Sequence, residues 1–298
     1  MNEMVSVIIP TYKRAEMLSR AIDSVLVQTY KNIQVVVVDD NNPDTEWRKK
    51  TSDIMKKYYD DVRVKYICHE KNMNGSVARN TGIANATGEI ICFLDDDDWF
   101  YPNKVEQQLD FLLSYPEYRA VYCGWLRDGK RVVPIKMGDL SYDLLSGINL
   151  IYTNVIMMWK KDAIECGGWD ETFMRHQEAA FMLRYFKNGG KVGVVSEVLT
   201  EFDVSDRGNA AKNSDINEQH MDHYLNSYMD IIENCELERK GARKDIFSYR
   251  YRGVLLSHIK SKNWKGAIKL YLKMIKKMPL KFNLDILRYI ANRVRKNG

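Results

Sequence analysis

The chain has 298 residues, 45% hydrophobic and 29% charged, ordinary proportions for a globular protein with room for about two domains. Its net charge of +5 conceals a division: residues 239–298 hold 18 Lys+Arg against Asp245 and Asp285 alone, a surplus of 16, while residues 1–238 hold 27 against 38 acidic residues, a deficit of 11. Five scattered cysteines without a C-x-x-C argue against a disulfide scaffold and for reduced thiols, and the longest apolar run, 147–159, is interrupted by Asn149, Thr153 and Asn154 and is too short to span a bilayer.

Val5-Ser6-Val7-Ile8-Ile9 has the pattern of a buried strand stopped by Pro10, so early in the chain that no signal peptide is expected and a cytoplasmic location follows. Residues 14–28 place Met17/Leu18, Ala21/Ile22 and Val25/Leu26 on the stripe of an amphipathic helix. A β-branched run, Ile33 to Val38, ends in Asp39-Asp40. A helix around 45–59, a strand at 62–68, a helix at 76–85 and a strand at 89–94 follow. Strands this apolar have no solvated face, which predicts a mostly parallel α/β sheet covered by helices on both sides. Ligands bind such sheets beyond the carboxyl ends of the strands. Pro10-Thr11-Tyr12, Asp39-Asp40 and Asp95-Asp96-Asp97-Asp98 all fall there. No G-x-G-x-x-G opens the first helix, so the dinucleotide fingerprint is missing.

The four consecutive carboxylates are the most informative feature. They follow Ile90-Ile91-Cys92-Phe93-Leu94 and run into Trp99-Phe100-Tyr101-Pro102, so they sit at the tip of a buried strand, where like charges repel and are poorly solvated. A divalent cation relieves this, and oxygen ligands suit Mg2+ or Mn2+ shared with a substrate's phosphates. The aromatic run that follows cannot supply the alternating oxygens and glycine of a calcium loop.

Val5–Tyr12, Ser24-Val25-Leu26-x-Gln28-Thr29-Tyr30, Val37–Asn41, Asn74-Gly75-Ser76-Val77-Ala78-Arg79-Asn80, Gly88–Asp98, Gly167-Gly168-Trp169-Asp170-Glu171 and His176-Gln177-Glu178 occur in this order. Over about residues 4–200 the chain resembles the family 2 inverting glycosyltransferases of GT-A fold, in the version of bacterial enzymes that build capsular or lipopolysaccharide sugars. The resemblance implies a Rossmann-like GT-A domain over 1–215, a basic helical region over 216–298, a nucleotide-diphospho-sugar donor and a glycan or lipid-linked acceptor. Asp40, with Asp39 near and Pro10, Thr11 and Tyr12 flanking, would hold the base; a carboxylate suits a uracil N–H, which favours UDP. Asp97 with Asp95 would hold Mn2+ or Mg2+, Asp95 or Asp96 would reach the ribose, and Glu178 would be the general base that one-step inversion needs on the acceptor side. The family usually has Asp where this chain has Glu178. Trp169, Asp170 and Glu171 would contact sugar or acceptor, and Arg79 or Arg207 the diphosphate. Without the resemblance these residues read more plainly: a turn at 39–43, a charge complementing a helix dipole at Glu178, capping at Asp170 and Glu171, a packed aromatic at Trp169, and solvated arginines. A binding module without turnover and a nucleotidyltransferase are the alternatives; the second lacks its Gly/Arg/Lys-rich signature near the first strand.

Residues 243–298 read as helices. In 264–278, Lys265, Lys269, Lys273, Lys276 and Lys277 form one face and Ala267, Ile268, Tyr271, Leu272 and Ile275 the other; after Pro279, Ile286/Leu287, Ile290/Ala291 and Val294 form a second apolar stripe. This composition suits peripheral attachment to an anionic inner leaflet, or a hairpin packed on the catalytic domain. No motif supports nucleic-acid binding.

Overall fold

A computed structural model of the chain describes residues 2–205 and 213–297. Two compact units emerge, Met1–Leu140 with Ile151–Asp206, and Ser141–Leu150 with Arg207–Gly298.

The first unit contains β1 (Val5–Thr11), α1 (Ala15–Leu26), β2 (Ile33–Asp39), α2 (Glu46–Met55), β3 (Val64–Cys68), α3 (Gly75–Asn85), β4 (Ile90–Phe93), β5 (Trp99–Phe100), α4 (Lys104–Ser114), β6 (Ala120–Arg127) and β7 (Lys130–Val132). After α5 (Ser141–Ser146), which belongs to the second unit, come β8 (Met157–Trp159), α6 (Lys160–Glu165), α7 (Gln177–Lys187) and β9 (Val192–Phe202). Among the described residues nine strands form one sheet in the order β3-β2-β1-β4-β8-β6-β9-β5, with β7 beside β6. Pairings among β1 to β4 are parallel, whereas β8 lies antiparallel to β4 and β6; β6 and β9 are parallel again. The sheet is thus a parallel half, as the sequence predicts, fused to a mixed half.

Alternation within β1 explains how one strand serves two cores. Val5, Val7 and Ile9 join Leu18, Ile22 and Val25 of α1 and Val105 and Leu109 of α4 in one apolar cluster. Ile8 points the other way, toward α3, where a Cβ on Gly82 would lie 2.2 Å from its Cγ2, so helix and strand approach this closely only because glycine is there. On that same side Phe93 meets Trp169 and Phe181 edge-on. Buried on both faces, β1, β2 and β4 end at one edge of the sheet.

The second unit is helical: α5, α8 (Ser214–Ser227), α9 (Met229–Glu238), α10 (Ala242–Lys260), α11 (Trp264–Lys277) and α12 (Pro279–Asn297). It takes 141–150 from mid-chain: Arg250 of α10 donates to the Leu145 carbonyl at 2.7 Å and Tyr142 of α5 donates to Asp245 at 3.2 Å. None of the described helices is long and apolar enough to cross a membrane.

Candidate active site

Strand register sets the first contact at the sheet edge. Ile8 pairs with Phe93, so three residues further on Thr11 meets Asp96. The Thr11 hydroxyl donates to Asp96 Oδ2 at 2.7 Å and the Tyr12 N–H reaches the same oxygen at 3.3 Å. Asp98 also faces inward: its oxygens accept from the Asp203 N–H at 2.7 Å and from the Asn154 side-chain amide, whose own carbonyl accepts the Asp95 N–H at 2.8 Å. Asp96 and Asp98 therefore lock the tip to β1 and to the end of β9. Asp95 and Asp97 keep more exposure, 33% and 16% of their side chains, and each has an arginine, Arg79 at 2.6 Å and Arg14 at 2.7 Å. Arg14 also lies 3.5 Å from Asp96, and Arg20 reaches the Asp97 carbonyl at 2.5 Å and Asp203 at 2.6 Å from over the Trp99 ring.

Five carboxylates (Asp95 to Asp98 and Asp203) face three guanidiniums (Arg14, Arg20 and Arg79), a formal deficit of two charges when all five are ionised. The strain shows in the titration. Burial pushes Asp96 up to about 7 and, with Asp95 and Asp97 adding repulsion, Asp98 up to about 9; burial and Asp95 raise Asp97 too. Asp203, bonded to the Ser205 hydroxyl and paired with Arg20, is held down at about 2. A divalent cation has the charge that closes this deficit, and hard carboxylate oxygens are its donors of choice. Among the described residues no three Asp, Glu, His or Cys converge into a complete cage. The set therefore fits an ion held by one or two carboxylates and completed by substrate oxygens, as Mg2+ usually is.

At the end of β2 the two carboxylates look inward. Asp39 is fully buried, accepting from the Asn41 N–H at 2.9 Å and Tyr66 at 2.6 Å and pairing with Arg48 at 3.1 Å. These bonds fix the turn that follows β2. Asp40 organises the following loop, with one oxygen on His69 Nδ1 at 2.7 Å and the Met73 N–H at 2.8 Å, the other on the Asn72 amide at 2.7 Å and the Asn74 N–H at 3.0 Å. Pro10 is half-buried, Thr11 buried, and Tyr12 exposed with the Lys13 ammonium 4.9 Å from its ring.

The third wall comes from α3 and the segment before α7. The Asn80 side chain pairs with both backbone groups of Trp169, accepting its N–H and donating to its carbonyl at 2.8 Å each, and donates to Glu171 at 2.9 Å. Gly168, at φ +64°, lies so close that a Cβ there would meet Asn80 Oδ1 at 2.6 Å. Trp169 is 1% exposed, stacked on Phe181 at 4.6 Å, which corrects the expected sugar platform: its ring belongs to the core. Asp170 caps its own turn through Thr172 at 3.0 Å and 2.7 Å. Arg79, over the Trp169 ring at 4.8 Å, bridges Asp95 and the Gln177 side chain at 3.1 Å. Glu178 follows Gln177 in the first turn of α7, half-buried, after His176 in the left-handed conformation. The Asp95–Arg79–Gln177 chain thus ties the N-terminus of α7 to the aspartate tip. Arg207 lies outside the described residues.

A family model described as Glycosyl transferase family 2 matches residues 6–187. The chain belongs to that family. Among curated proteins it is similar to the amylovoran biosynthesis glycosyltransferase AmsB of Erwinia amylovora, 29% identical over 219 residues that cover 68% of this chain and 70% of the relative. It spans between 19% and 59% of the length of four further relatives. Two solved structures share the fold at 16% identity: S. aureus TarS 1–349 in complex with UDP-GlcNAc, with TM-score 0.61 over 93% of this chain and 92% of that one, and the mannosyltransferase PcManGT of Pyrobaculum calidifontis in complex with GDP-Man and Mn2+, with TM-score 0.60 over 100% and 87%.

In this family 2 glycosyltransferase, sequence reasoning missed the cations and amides around the aspartates. Arg14 and Arg20 carried no signal beyond their positions at and on α1, and Asn154 none beyond interrupting an apolar run. Gln177 stood in a quoted motif but was given no role.

Proposed function

We propose that this glycosyltransferase moves one sugar, with inversion, from a UDP-linked donor to a hydroxyl of a growing, lipid-linked glycan of a surface polysaccharide, working on the inner face of the membrane. The observation that carries the reading is the excess of carboxylates over guanidiniums at the carboxyl edge of the parallel strands, where a metal–diphosphate pair would be held. Asp97 and Asp95 are the ligands we assign to Mn2+ or Mg2+. When bound, the ion supplies Lewis-acid stabilisation to a departing diphosphate. Arg79 and Arg14, already on these carboxylates, then have phosphate oxygens within their range of partners. Tyr12 flanks the base, and Asp40 accepts its N–H where the side chain of Asn72 now donates. The complexes of TarS with UDP-GlcNAc and of PcManGT with GDP-Man and Mn2+ support a nucleotide-sugar and a divalent ion without deciding the base. Glu178, in the first turn of α7 beside Gln177, takes the acceptor proton, and Asp170 and Glu171 border the acceptor.

The test is UDP release from a panel of UDP-sugars with Mn2+, with and without lipid-linked acceptors. Glu178→Gln is expected to lower turnover about 10²–10⁴-fold with donor affinity retained. Turnover unchanged in Glu178→Gln refutes the base; metal-dependent UDP binding with no transfer to any acceptor favours a binding module; pyrophosphate from a nucleoside triphosphate would make the protein a nucleotidyltransferase.

A further inference from the structure

The second unit leaves apolar surface uncovered on two of its helices. Both α11 and α12 pack on α10. On α11 the residues turned inward are Ala267, Leu270 and Met274, so the single apolar face expected from sequence is split. Trp264, Ile268 and Leu272, four residues apart, form a second stripe outside, and Leu280, Leu284 and Leu287 do the same on α12; all six are between 49% and 79% exposed. Lys265, Lys269, Lys276 and Lys277 are exposed beside the first stripe and Arg288 beside the second. Among the described residues no carboxylate pairs with Lys265, Lys269, Lys276 or Lys277: α11 contains none, and the one on α12, Asp285, is buried against Ser248 at 2.6 Å and Lys281 at 3.0 Å, with Arg288 at 3.9 Å.

Large apolar side chains grouped on a surface mark an interaction site. A second copy of the same face would set lysine against lysine. A surface that is apolar within and negative outside satisfies both features, as for interfacial amphipathic helices with Trp and Leu on one side and Lys around them. We propose that the outer faces of α11 and α12 dock on an anionic phospholipid bilayer, with the two stripes entering the boundary between headgroups and acyl chains and the lysines against the headgroup phosphates. This deepens the membrane-side reading of the acceptor above. It is measured without sugar transfer, so its failure leaves the donor reading standing.

The experiment is co-sedimentation of the full chain with vesicles of phosphatidylcholine alone or with about 30% phosphatidylglycerol, a fraction giving a strongly negative surface. Binding at least about tenfold stronger to the anionic vesicles is expected, weakening in high salt. Ile268→Ser/Leu272→Ser and Lys265→Glu/Lys269→Glu should each weaken it about tenfold or more while keeping the wild-type unfolding midpoint and calorimetric UDP binding. The vesicle-induced blue shift of tryptophan emission should vanish in Trp264→Phe. Equal binding to neutral vesicles, binding unchanged in both double variants, or a dimer in sedimentation velocity that Ile268→Ser/Leu272→Ser dissociates would each overturn the proposal.

Discussion

Asn80→Ala should cost the first unit about 3–4 kcal/mol, although Asn80 is half-exposed and touches no proposed substrate. Its amide is the partner of both the N–H and the carbonyl of Trp169, at 2.8 Å each. Two neutral hydrogen bonds contribute about 1 kcal/mol each, and stranding a part-buried backbone N–H adds about 1–2 kcal/mol. The bond to Glu171 is exposed and adds little. Asn80→Asp keeps the acceptor for the N–H but loses the donor and sets a second carboxylate beside Glu171, so near neutral pH it should be at least as destabilised, recovering part of the loss as the two carboxyls protonate. Urea unfolding followed by tryptophan emission measures both. Because Trp169 stacks on Phe181 of α7, transfer should also fall in Asn80→Ala under conditions where it is fully folded. A stability loss below about 0.5 kcal/mol would refute the argument that this amide holds the turn to α3.

Trp169→Ala should cost about 3–5 kcal/mol by emptying a filled core site, while the KM for donor stays near wild type; wild-type stability with a raised acceptor KM would restore the sugar-platform reading. Asp96 and Asp98 titrate above the ordinary carboxylate value in the folded chain, so the folded state holds more protons than the unfolded one and metal-free stability falls as pH rises from about 4 through about 9. Saturating Mn2+ should flatten that slope and release protons on binding. Unfolding midpoints across this range, with and without the ion, check both statements, and a metal-free protein most stable near pH 9 would contradict them.

The parallel half of the sheet was legible because β1, β2 and β4 are buried on both faces and must be continuously apolar. The mixed half was not. β5 has two residues, β8 three, and β7 is Lys-Arg-Val on the surface, so none carries a periodicity that differs from loop. At the site the carboxylates stood out because four in a row after an apolar strand are rarely only structural. Their cations did not, since an arginine at the mouth of a helix or on its solvent face looks like any other until the fold brings Asp97 to it. Trp169 shows the reverse error: an aromatic after Gly-Gly in a family motif invites a sugar, yet burial between Phe93 and Phe181 is what its area is used for. Asp39 and Asp40 were read as base-holding residues or a turn at a strand end, and their saturation by Arg48, Tyr66 and the 69–74 loop is visible only in three dimensions.

Calorimetry of UDP binding in saturating Mn2+, against the same titration in chelator and with Asp97→Ala, bears most directly on the charge deficit at the strand tips. Binding in Mn2+ that is lost in chelator and weakened at least about tenfold by the substitution is the predicted result. Equal affinity in all three titrations, or none in any, would mean that the aspartate tip holds no metal–nucleotide pair.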